Sequence, residues 1–243
     1  MYRPFRFTLF VLALAGICVG FALPQLSARP NRTAATEAAP FTVVLDAGHG
    51  GEDGGAVSAD GLQEKTVNLA VTLAVRDLLE ASGVRVVLTR DTDILLYDRT
   101  VNYKGRKKAL DLAARRKIAE ETEGAVFVSI HMNAFPQKQY HGLQVWYSPN
   151  DARSASLASA IQEEVRARLQ PENTRKTKQA GSNIYLLYHL TVPAVLIECG
   201  FLSNPDEAAL LATDGYRQQL AQTVALGILA GLGKISDEIT PRS

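Results

Sequence analysis

The feature that most constrains the fold is an alternation that begins at Phe41, where short apolar runs rich in Val and Ile are separated by longer amphipathic stretches. Such alternation indicates an α/β domain. The apolar runs predict strands at Phe41–Asp46, Val84–Thr89, Ala125–His131, Gly142–Tyr147 and Ala194–Glu198. The amphipathic stretches predict helices at Glu64–Ala81, Arg106–Glu121, Ser154–Leu169 and Gly215–Leu232. No internal repeat is present, and a length of 243 residues suits one such domain.

The charge balance argues against one broad class of function. Lys and Arg together number 26, against 25 Asp and Glu. A chain so close to neutral has no general basic surface with which to bind nucleic acid. The two cysteines, Cys18 and Cys199, provide no disulfide framework. We therefore expect a domain held together by packing, with no nucleic-acid partner.

The first residues predict export. Arg3 and Arg6 precede an uncharged run that ends at Leu23, which is typical of a signal peptide or an N-terminal membrane anchor. We expect such a segment at residues 1–23. Residues 24–40 are rich in Pro, Ala, Thr and Ser and predict a flexible linker. The folded domain is then expected at residues 41–235, followed by a short tail at 236–243.

Polar residues collect at the ends of predicted strands and at the start of one helix. His49 lies in a glycine-rich loop after the first strand, His131 and Glu198 end two later strands, and Glu64 begins the first helix. In open α/β sheets, functional groups gather where strands end. Imidazole and carboxylate groups are suitable zinc ligands. A nearby carboxylate that does not coordinate the metal can transfer protons. The residues alone do not distinguish the glutamate that binds metal from the one that moves protons.

Simpler interpretations of these residues stand beside the zinc site. A single histidine at a strand end is usually structural or merely exposed, and Glu64 could complement the dipole of its helix. The loop from Gly48 to Gly51 could hold a phosphate, although it lacks the Gly-x-Gly-x-x-Gly and Walker lysine patterns. Glu198 favours a functional interpretation, because a carboxylate at the end of an apolar strand needs a charged partner. Asn133 could orient a ligand or the substrate through its amide.

Four segments of the chain resemble the zinc-dependent N-acetylmuramoyl-L-alanine amidases of the type 3 class. The similarity spans about residues 41–232, in the family's order and spacing. The chain departs from the family at Ala47, where many members have proline. The matching segments are Val44-Leu45-Asp46-Ala47-Gly48-His49-Gly50-Gly51, Glu64 with Asn68-Leu69-Ala70, Val128-Ser129-Ile130-His131-Met132-Asn133-Ala134, and Ile197-Glu198-Cys199-Gly200-Phe201-Leu202-Ser203-Asn204.

The resemblance implies a role for each candidate residue. His49, Glu64 and His131 match the family's Zn²⁺ ligands, and Glu198 matches its catalytic glutamate. Family members hydrolyse the amide between the lactyl group of N-acetylmuramic acid and the L-alanine of the stem peptide in peptidoglycan. Their fold is a mixed β-sheet flanked by helices on both faces. Arg115 belongs to a Leu-x-x-Arg pattern of a family helix and is predicted to be structural.

Within the family, the chain is most similar to the germination-specific amidases of spore-formers, which are short and lack a separate wall-binding domain. That similarity implies removal of stem peptides in the spore cortex, so that muramic δ-lactam can form there. It also implies an extracytoplasmic location, in the cell wall or the spore intermembrane space, and an accessory protein in sporulation as an expected partner. Short exported amidases with other duties share this layout, so the cortex and the vegetative wall both stay open as substrates.

Two other functions are alternatives to the amidase activity. A zinc peptidase would use the same metal site but would cut within the stem peptide. A non-catalytic wall-binding protein would keep the fold without hydrolysis, and retention of all four polar residues argues against it.

Overall fold

The computed structural model describes residues 41–239, which form six strands and six helices. The predicted signal or anchor, the linker and residues 240–243 of the predicted tail lie outside this range. Among residues 41–239, no helix is long and apolar enough to cross a membrane. The strands are β1 (Thr42–Ala47), β2 (Arg85–Leu88), β3 (Ala125–Asn133), β4 (Gln144–Tyr147), β5 (Lys178–Gln179) and β6 (Ala194–Phe201). The helices are α1 (Glu64–Ala81), α2 (Lys107–Glu121), α3 (Arg153–Arg168), α4 (Tyr185–His189), α5 (Pro205–Leu211) and α6 (Asp214–Ile239).

The six strands form one mixed sheet in the order β2-β1-β3-β6-β4-β5. The pairs β1–β2, β1–β3 and β3–β6 are parallel, whereas β4 runs antiparallel to β6 and parallel to β5. Strands β1, β3 and β6 are almost wholly buried, as their near-continuous apolar sequences predict for central strands. The parallel strands direct their carboxyl ends to one edge of the sheet.

Helices cover both faces of the sheet. Helices α1, α3 and α6 enclose the larger apolar core, and α2 and α4 enclose a smaller one around Phe127. Helices α3 and α6 approach each other closely at Gly227, where a Cβ atom would lie 2.7 Å from the Cα of Ile161. At Gly231 it would lie 2.5 Å from the Cδ1 of Leu157. Glycine at these two positions on one face of α6 therefore permits the close packing of the helix pair.

The predicted single α/β domain with a mixed sheet and helices on both faces is confirmed. All five predicted strands and four predicted helices are present, and α1 has the predicted bounds. Helix α6 continues past the predicted Leu232, and past the expected domain boundary at residue 235, to Ile239. The buried side chain of Ile235 extends the apolar stripe of this helix and explains the extra length.

Three short elements were not predicted. Strand β5 has two exposed residues, and α4 has five residues, so neither is long enough to show a period. Helix α5 does have a start signal in the sequence. The side chain of Asn204 accepts hydrogen bonds from the backbone N–H groups of Asp206 and Glu207, and Pro205 occupies the first turn.

Two predicted strand ends were wrong in a way that matters for the site. Strand β3 runs past His131 to Asn133, and β6 runs past Glu198 to Phe201. His131 and Glu198 therefore lie within strands, where they are register partners. His49 follows the end of β1 by two residues, so the three side chains meet at one edge of the sheet.

Candidate active site

His49 lies in a strained loop directly after β1. Its φ angle is 61°, and it is the one non-glycine residue of the described range with a positive φ. Gly50 and Gly51, which follow it, also have positive φ angles. A non-glycine residue in this region costs about 1 to 3 kcal/mol and persists only where the surroundings enforce it. The glycines let the chain turn sharply, and the contacts that enforce the turn come from two arginines.

Arg90 and Arg115 hold the backbone carbonyls of this loop. Arg90 donates from Nε to the carbonyl of Ala47 at 2.8 Å and from Nη2 to that of Gly48 at 2.9 Å. Arg115 donates from Nη1 to the carbonyl of Ala47 and from Nη2 to that of His49, both at 2.7 Å. Both arginines are buried. Three consecutive carbonyls are thereby fixed, which keeps the imidazole of His49 turned towards the site.

The charge of Arg115 is balanced by two buried carboxylates. Asp46 Oδ1 lies 2.6 Å from Nη1 of Arg115, and Asp111 Oδ2 lies 2.8 Å from Nε. Burial alone would raise the pKa of Asp46, but Arg115 and the hydroxyls of Ser129 and Thr89 outweigh it and hold that pKa below its usual range. This bonding agrees with the predicted structural role of Arg115.

The structure brings His49, Glu64 and His131 together. Oε2 of Glu64 lies 3.2 Å from Nε2 of His49, and Oε1 lies 2.9 Å from Nδ1 of His131. One ligand atom from each residue lies within 4.8 Å of the other two. The residues come from a loop, the first turn of a helix and a strand, so the cluster depends on the whole fold.

Neighbouring groups orient the side chains of this cluster. Glu64 accepts hydrogen bonds from the backbone N–H groups of Ala56 and Met132, and from Nδ2 of Asn68. Asp53 Oδ1 lies 2.9 Å from Nδ1 of His49, on the far side of the ring from Glu64. Carboxylates that contact a ligand's other ring nitrogen are typical supports of metal-binding histidines.

The residue types and their charges suit a zinc ion. Burial alone would raise the pKa of Glu64, but hydrogen bonds with His131 and His49 hold it well below its usual range. Burial alone would lower the pKa of His49, but the contacts of its ring with Glu64 and Asp53 outweigh burial and raise that pKa above its usual value. Two imidazoles held around one carboxylate are a donor set that a dication would bind in place of protons. His49 and His131 also border an open cavity, and a catalytic zinc site requires such an open side.

Glu198 borders the same cavity but is not part of the three-residue cluster. The cavity has a volume of about 230 Å³ and lies between α2, α4 and the sheet edge. Oε2 of Glu198 is buried without a hydrogen-bond partner among the described residues. Burial raises the pKa of Glu198 to about 7. The negative charge of Glu64 adds to this rise, and His131 and His49 oppose it. A carboxyl with such a pKa is suited to proton transfer near neutral pH.

The other residues considered from the sequence lie elsewhere. Cys199 is buried on the opposite face of β6, and burial raises the pKa of its thiol, which leaves it unsuited as a nucleophile. Asn133 borders a separate groove beside the site. The phosphate alternative is disfavoured, because the carboxylates of Glu64 and Asp53 lie against the glycine-rich loop.

Asp53 and Arg90 are functional neighbours that were not predicted. Asp53 lies shortly after His49 in the sequence. An acidic residue so near a candidate ligand was a signal from which its contact with His49 could have been predicted. Arg90 follows β2, far from the loop in sequence, and had no local signal. Its contact with the loop carbonyls depends on the pairing of β1 with β2.

Comparisons with known proteins identify the family of the chain. Residues 43–230 match the family of N-acetylmuramoyl-L-alanine amidases. The chain is 42% identical over 187 residues to the germination-specific N-acetylmuramoyl-L-alanine amidase of Bacillus subtilis, covering 77% of this chain and 78% of the relative. It resembles the CwlD amidase of Clostridioides difficile, solved in complex with the GerS lipoprotein, at 41% identity with a TM-score of 0.75, covering 80% and 99% of the two chains. AmiC2 of Nostoc punctiforme is similar at 33% identity and a TM-score of 0.65, covering 78% and 96%.

Proposed function

Because the chain belongs to the N-acetylmuramoyl-L-alanine amidase family and is a peptidoglycan amidase, we propose that it hydrolyses its substrate with one zinc ion and one general base. The zinc ligands are His49, Glu64 and His131, and the base is Glu198. The observation that carries this proposal is the arrangement of the four residues. Three form a compact donor set, and the fourth stands beside it with an unpaired buried oxygen.

The zinc ion would polarise the scissile carbonyl and activate the attacking water. Glu198, as a carboxylate, accepts the proton of that water and then donates it to the nitrogen of the departing L-alanine. Two observations support this role: Glu198 is the register partner of His131, and its Oε2 has no hydrogen-bond partner among the described residues and is available for the proton. Asp53 and Asn68 orient His49 and Glu64 and take no part in proton transfer.

The test of this proposal is product analysis combined with metal analysis. Purified peptidoglycan is digested with the full chain, and the released peptides are identified by mass spectrometry. Free stem peptides that begin with intact L-alanine, together with about one bound zinc per chain, are expected. Fragments cut within the stem peptide would instead identify a peptidase. Wall binding without release of peptides would identify a non-catalytic protein.

We further propose that the chain acts on the spore cortex, where stem-peptide removal precedes formation of muramic δ-lactam. Its similarity to a germination-specific amidase supports this role. Peptidoglycan lies outside the cytoplasmic membrane, so the enzyme acts there, and residues 1–23 are proposed to direct its export or anchor it. A strain without the chain should make cortex that lacks muramic δ-lactam and vegetative wall of unchanged composition. Normal cortex in that strain would assign the enzyme to another wall.

We also propose that an accessory protein assists the enzyme. A related CwlD amidase was solved in complex with the GerS lipoprotein, which supports a partner of that kind. Purification of the tagged chain from sporulating cells, with a Glu198→Gln variant alongside, would test for a stoichiometric companion. Full activity and full zinc content of the isolated chain would show that no companion is needed.

A further inference from the structure

Two exposed aromatic rings lie over a third, buried ring beside the end of β6. The side chains of Phe135 and Tyr140 are 48% and 43% exposed, and their rings meet edge to face with centroids 5.1 Å apart. The ring of Tyr140 also stacks against that of Phe201, at 6.5 Å. We call Phe135, Tyr140, Phe201 and Arg175 the aromatic platform. With Asn133 they border a groove of about 170 Å³.

Polar contacts hold the loop that carries the platform. The backbone N–H of Phe135 donates to Oγ of Ser203 at 2.9 Å, and Nδ2 of Asn204 donates to the carbonyl of Tyr140 at 3.3 Å. Both acceptor and donor side chains belong to the segment between β6 and α5. The rings of Phe135 and Tyr140 are therefore exposed on a fixed backbone, and a ligand would bind them without ordering a loose loop.

Two further side chains fix the other half of the platform. The guanidinium of Arg175 lies 4.6 Å from the centre of the Phe201 ring, and its Nε donates to the carbonyl of His141 at 2.7 Å. Glu207 accepts hydrogen bonds from the backbone N–H groups of Gly142 and Phe201, at 2.9 and 2.8 Å. The platform is thus tied to β6 on one side and to the start of β4 on the other.

The platform adjoins the active site through one residue. Gln144 of β4 is the register partner of Glu198 in the antiparallel pair, so the two side chains lie side by side on one face of the sheet. Oε1 of Gln144 accepts a hydrogen bond from Nη1 of Arg175 at 3.1 Å. The series Glu198, Gln144, Arg175 and Phe201 therefore leads directly from the proposed base to the platform.

We propose that the aromatic platform binds a sugar ring of the glycan strand that carries the scissile amide. This proposal rests on the amidase function above, because that bond has a sugar on one side and a peptide on the other. The C–H groups of a pyranose ring pack well against the electron-rich face of an aromatic ring. Arg175 and Asn133 supply donors for the hydroxyl and acetamido oxygens at the groove's edge. A fixed, exposed aromatic surface next to a catalytic site is typical of a binding site.

Binding of a peptide-free tetrasaccharide of alternating N-acetylglucosamine and N-acetylmuramic acid tests the platform directly. Isothermal titration calorimetry on the full chain should give an affinity about 5- to 10-fold weaker for Tyr140→Ala than for wild type. Tyr140→Phe keeps the ring and should bind within about twofold of wild type. Tyr188→Ala is the matched control, because Tyr188 is equally exposed, at 45%, on α4. Phe135→Ala provides a second platform variant, and thermal melting verifies that each variant is folded.

Kinetics separate this proposal from the proposed function. On polymeric peptidoglycan, Tyr140→Ala should raise KM about 5- to 10-fold and leave kcat near wild type. If wild type releases no stem peptides yet binds the tetrasaccharide in a Tyr140-dependent way, the amidase proposal fails and the platform stands. If hydrolysis is normal but both platform variants keep wild-type affinity and KM, the platform proposal is overturned. Self-association that Tyr140→Ala abolishes, with glycan affinity unchanged, would make the surface a protein contact and would also overturn it.

Discussion

His131 on β3 and Glu198 on β6 are register partners in adjacent parallel strands. Partner residues project from the same face of a sheet, so their side chains are neighbours by virtue of the strand pairing alone. In the proposed mechanism, one of them binds the metal and the other moves the proton. The distance between ligand and base is therefore set by the most rigid part of the fold, and the loops contribute only His49 and its supports.

The first prediction concerns Glu198→Gln, which keeps the shape of the side chain and removes its basicity. Zinc content should stay near wild type, because Glu198 lies outside the three-residue cluster. Turnover should fall by at least ~100-fold, the scale of general-base catalysis. Stem-peptide release followed by mass spectrometry gives the turnover, and elemental analysis gives the metal. Glu121→Gln, a change at an exposed helix residue, is the control, and wild-type turnover in Glu198→Gln would remove that residue from the mechanism.

The second prediction is that zinc binding lowers the pKa of Glu198 and so sets the acid limb of the pH profile. Without metal the pKa of Glu198 is raised to about 7, chiefly by burial. A dication at the neighbouring ligands favours the carboxylate and should lower this pKa by about 1 to 3. Carboxyl-carbon NMR of the metal-free and zinc-loaded chains measures the difference. Because the base acts when deprotonated, kcat/KM should be lost as pH falls through the lower value. An unchanged acid limb in the residual activity of Glu198→Gln would assign that limb to another group.

The sequence predicted the parts of the site that depend on local pattern. The alternation of apolar runs placed the central strands, and the glycines around His49 marked a turn at the edge of the sheet. The sequence also placed Glu64 at the start of α1. Chemistry alone left the two glutamates interchangeable, because both follow the same rule of a carboxylate at an element's end. The family resemblance was needed to suggest their roles.

Contacts between distant segments could not be predicted. Arg90 reaches the carbonyls of the His49 loop only because β2 pairs with β1, and register is a property of the assembled sheet. The aromatic platform likewise joins residues from three separate segments, including Tyr140, Arg175 and Phe201. Short elements such as α4 carry too few residues for a period. The features that could not be predicted are therefore contacts between segments far apart in the sequence and very short helices and strands.

The third prediction is that zinc stabilises the folded chain. An ion that binds only the native cluster raises the free energy of unfolding by about 2.7 kcal/mol at a free concentration of 100 times Kd. Treatment with a chelator should lower Tm and abolish hydrolysis, and added zinc should restore both. His131→Ala should show no zinc-dependent change in Tm, whereas His141→Ala, an exposed histidine outside the cluster, should respond like wild type. Equal responses in the two variants would contradict the ligand assignment.

The fourth prediction concerns the buried pair of Asp46 and Arg115. Asp46→Asn leaves the guanidinium short of one counter-charge and should cost about 3 kcal/mol in the free energy of unfolding at pH 7. The folded-state pKa of Asp46 is held below 3.8, so its contribution is present above that pH and is lost as pH falls below it. Urea unfolding should therefore show a gap between wild type and variant that narrows below about pH 4. Asp77→Asn, at an exposed pair with Arg76, should change stability little at either pH.

The fifth prediction compares two glycines in the segment between β1 and α1. Gly55 and Gly61 have φ angles of 66° and 86°, so alanine at either position is strained by about 1 kcal/mol. A Cβ at Gly55 would lie 2.4 Å from Oε2 of Glu64 and 2.8 Å from Cδ2 of His49. At Gly61 it would meet nothing within 4 Å. The two substitutions share the backbone cost and differ only in their contact with the proposed ligands.

Gly55→Ala should therefore displace two of the proposed ligands as well as lower stability. We expect its zinc affinity, measured by competition with a chelating dye, to fall by at least ~10-fold, the scale seen when the support of a ligand is disturbed. Gly61→Ala should show only the backbone cost in thermal melting and keep its zinc affinity within about twofold. Equal zinc affinities in the two folded variants would mean that the metal does not bind where Glu64 and His49 meet. The comparison thus separates damage to the site from damage to the fold.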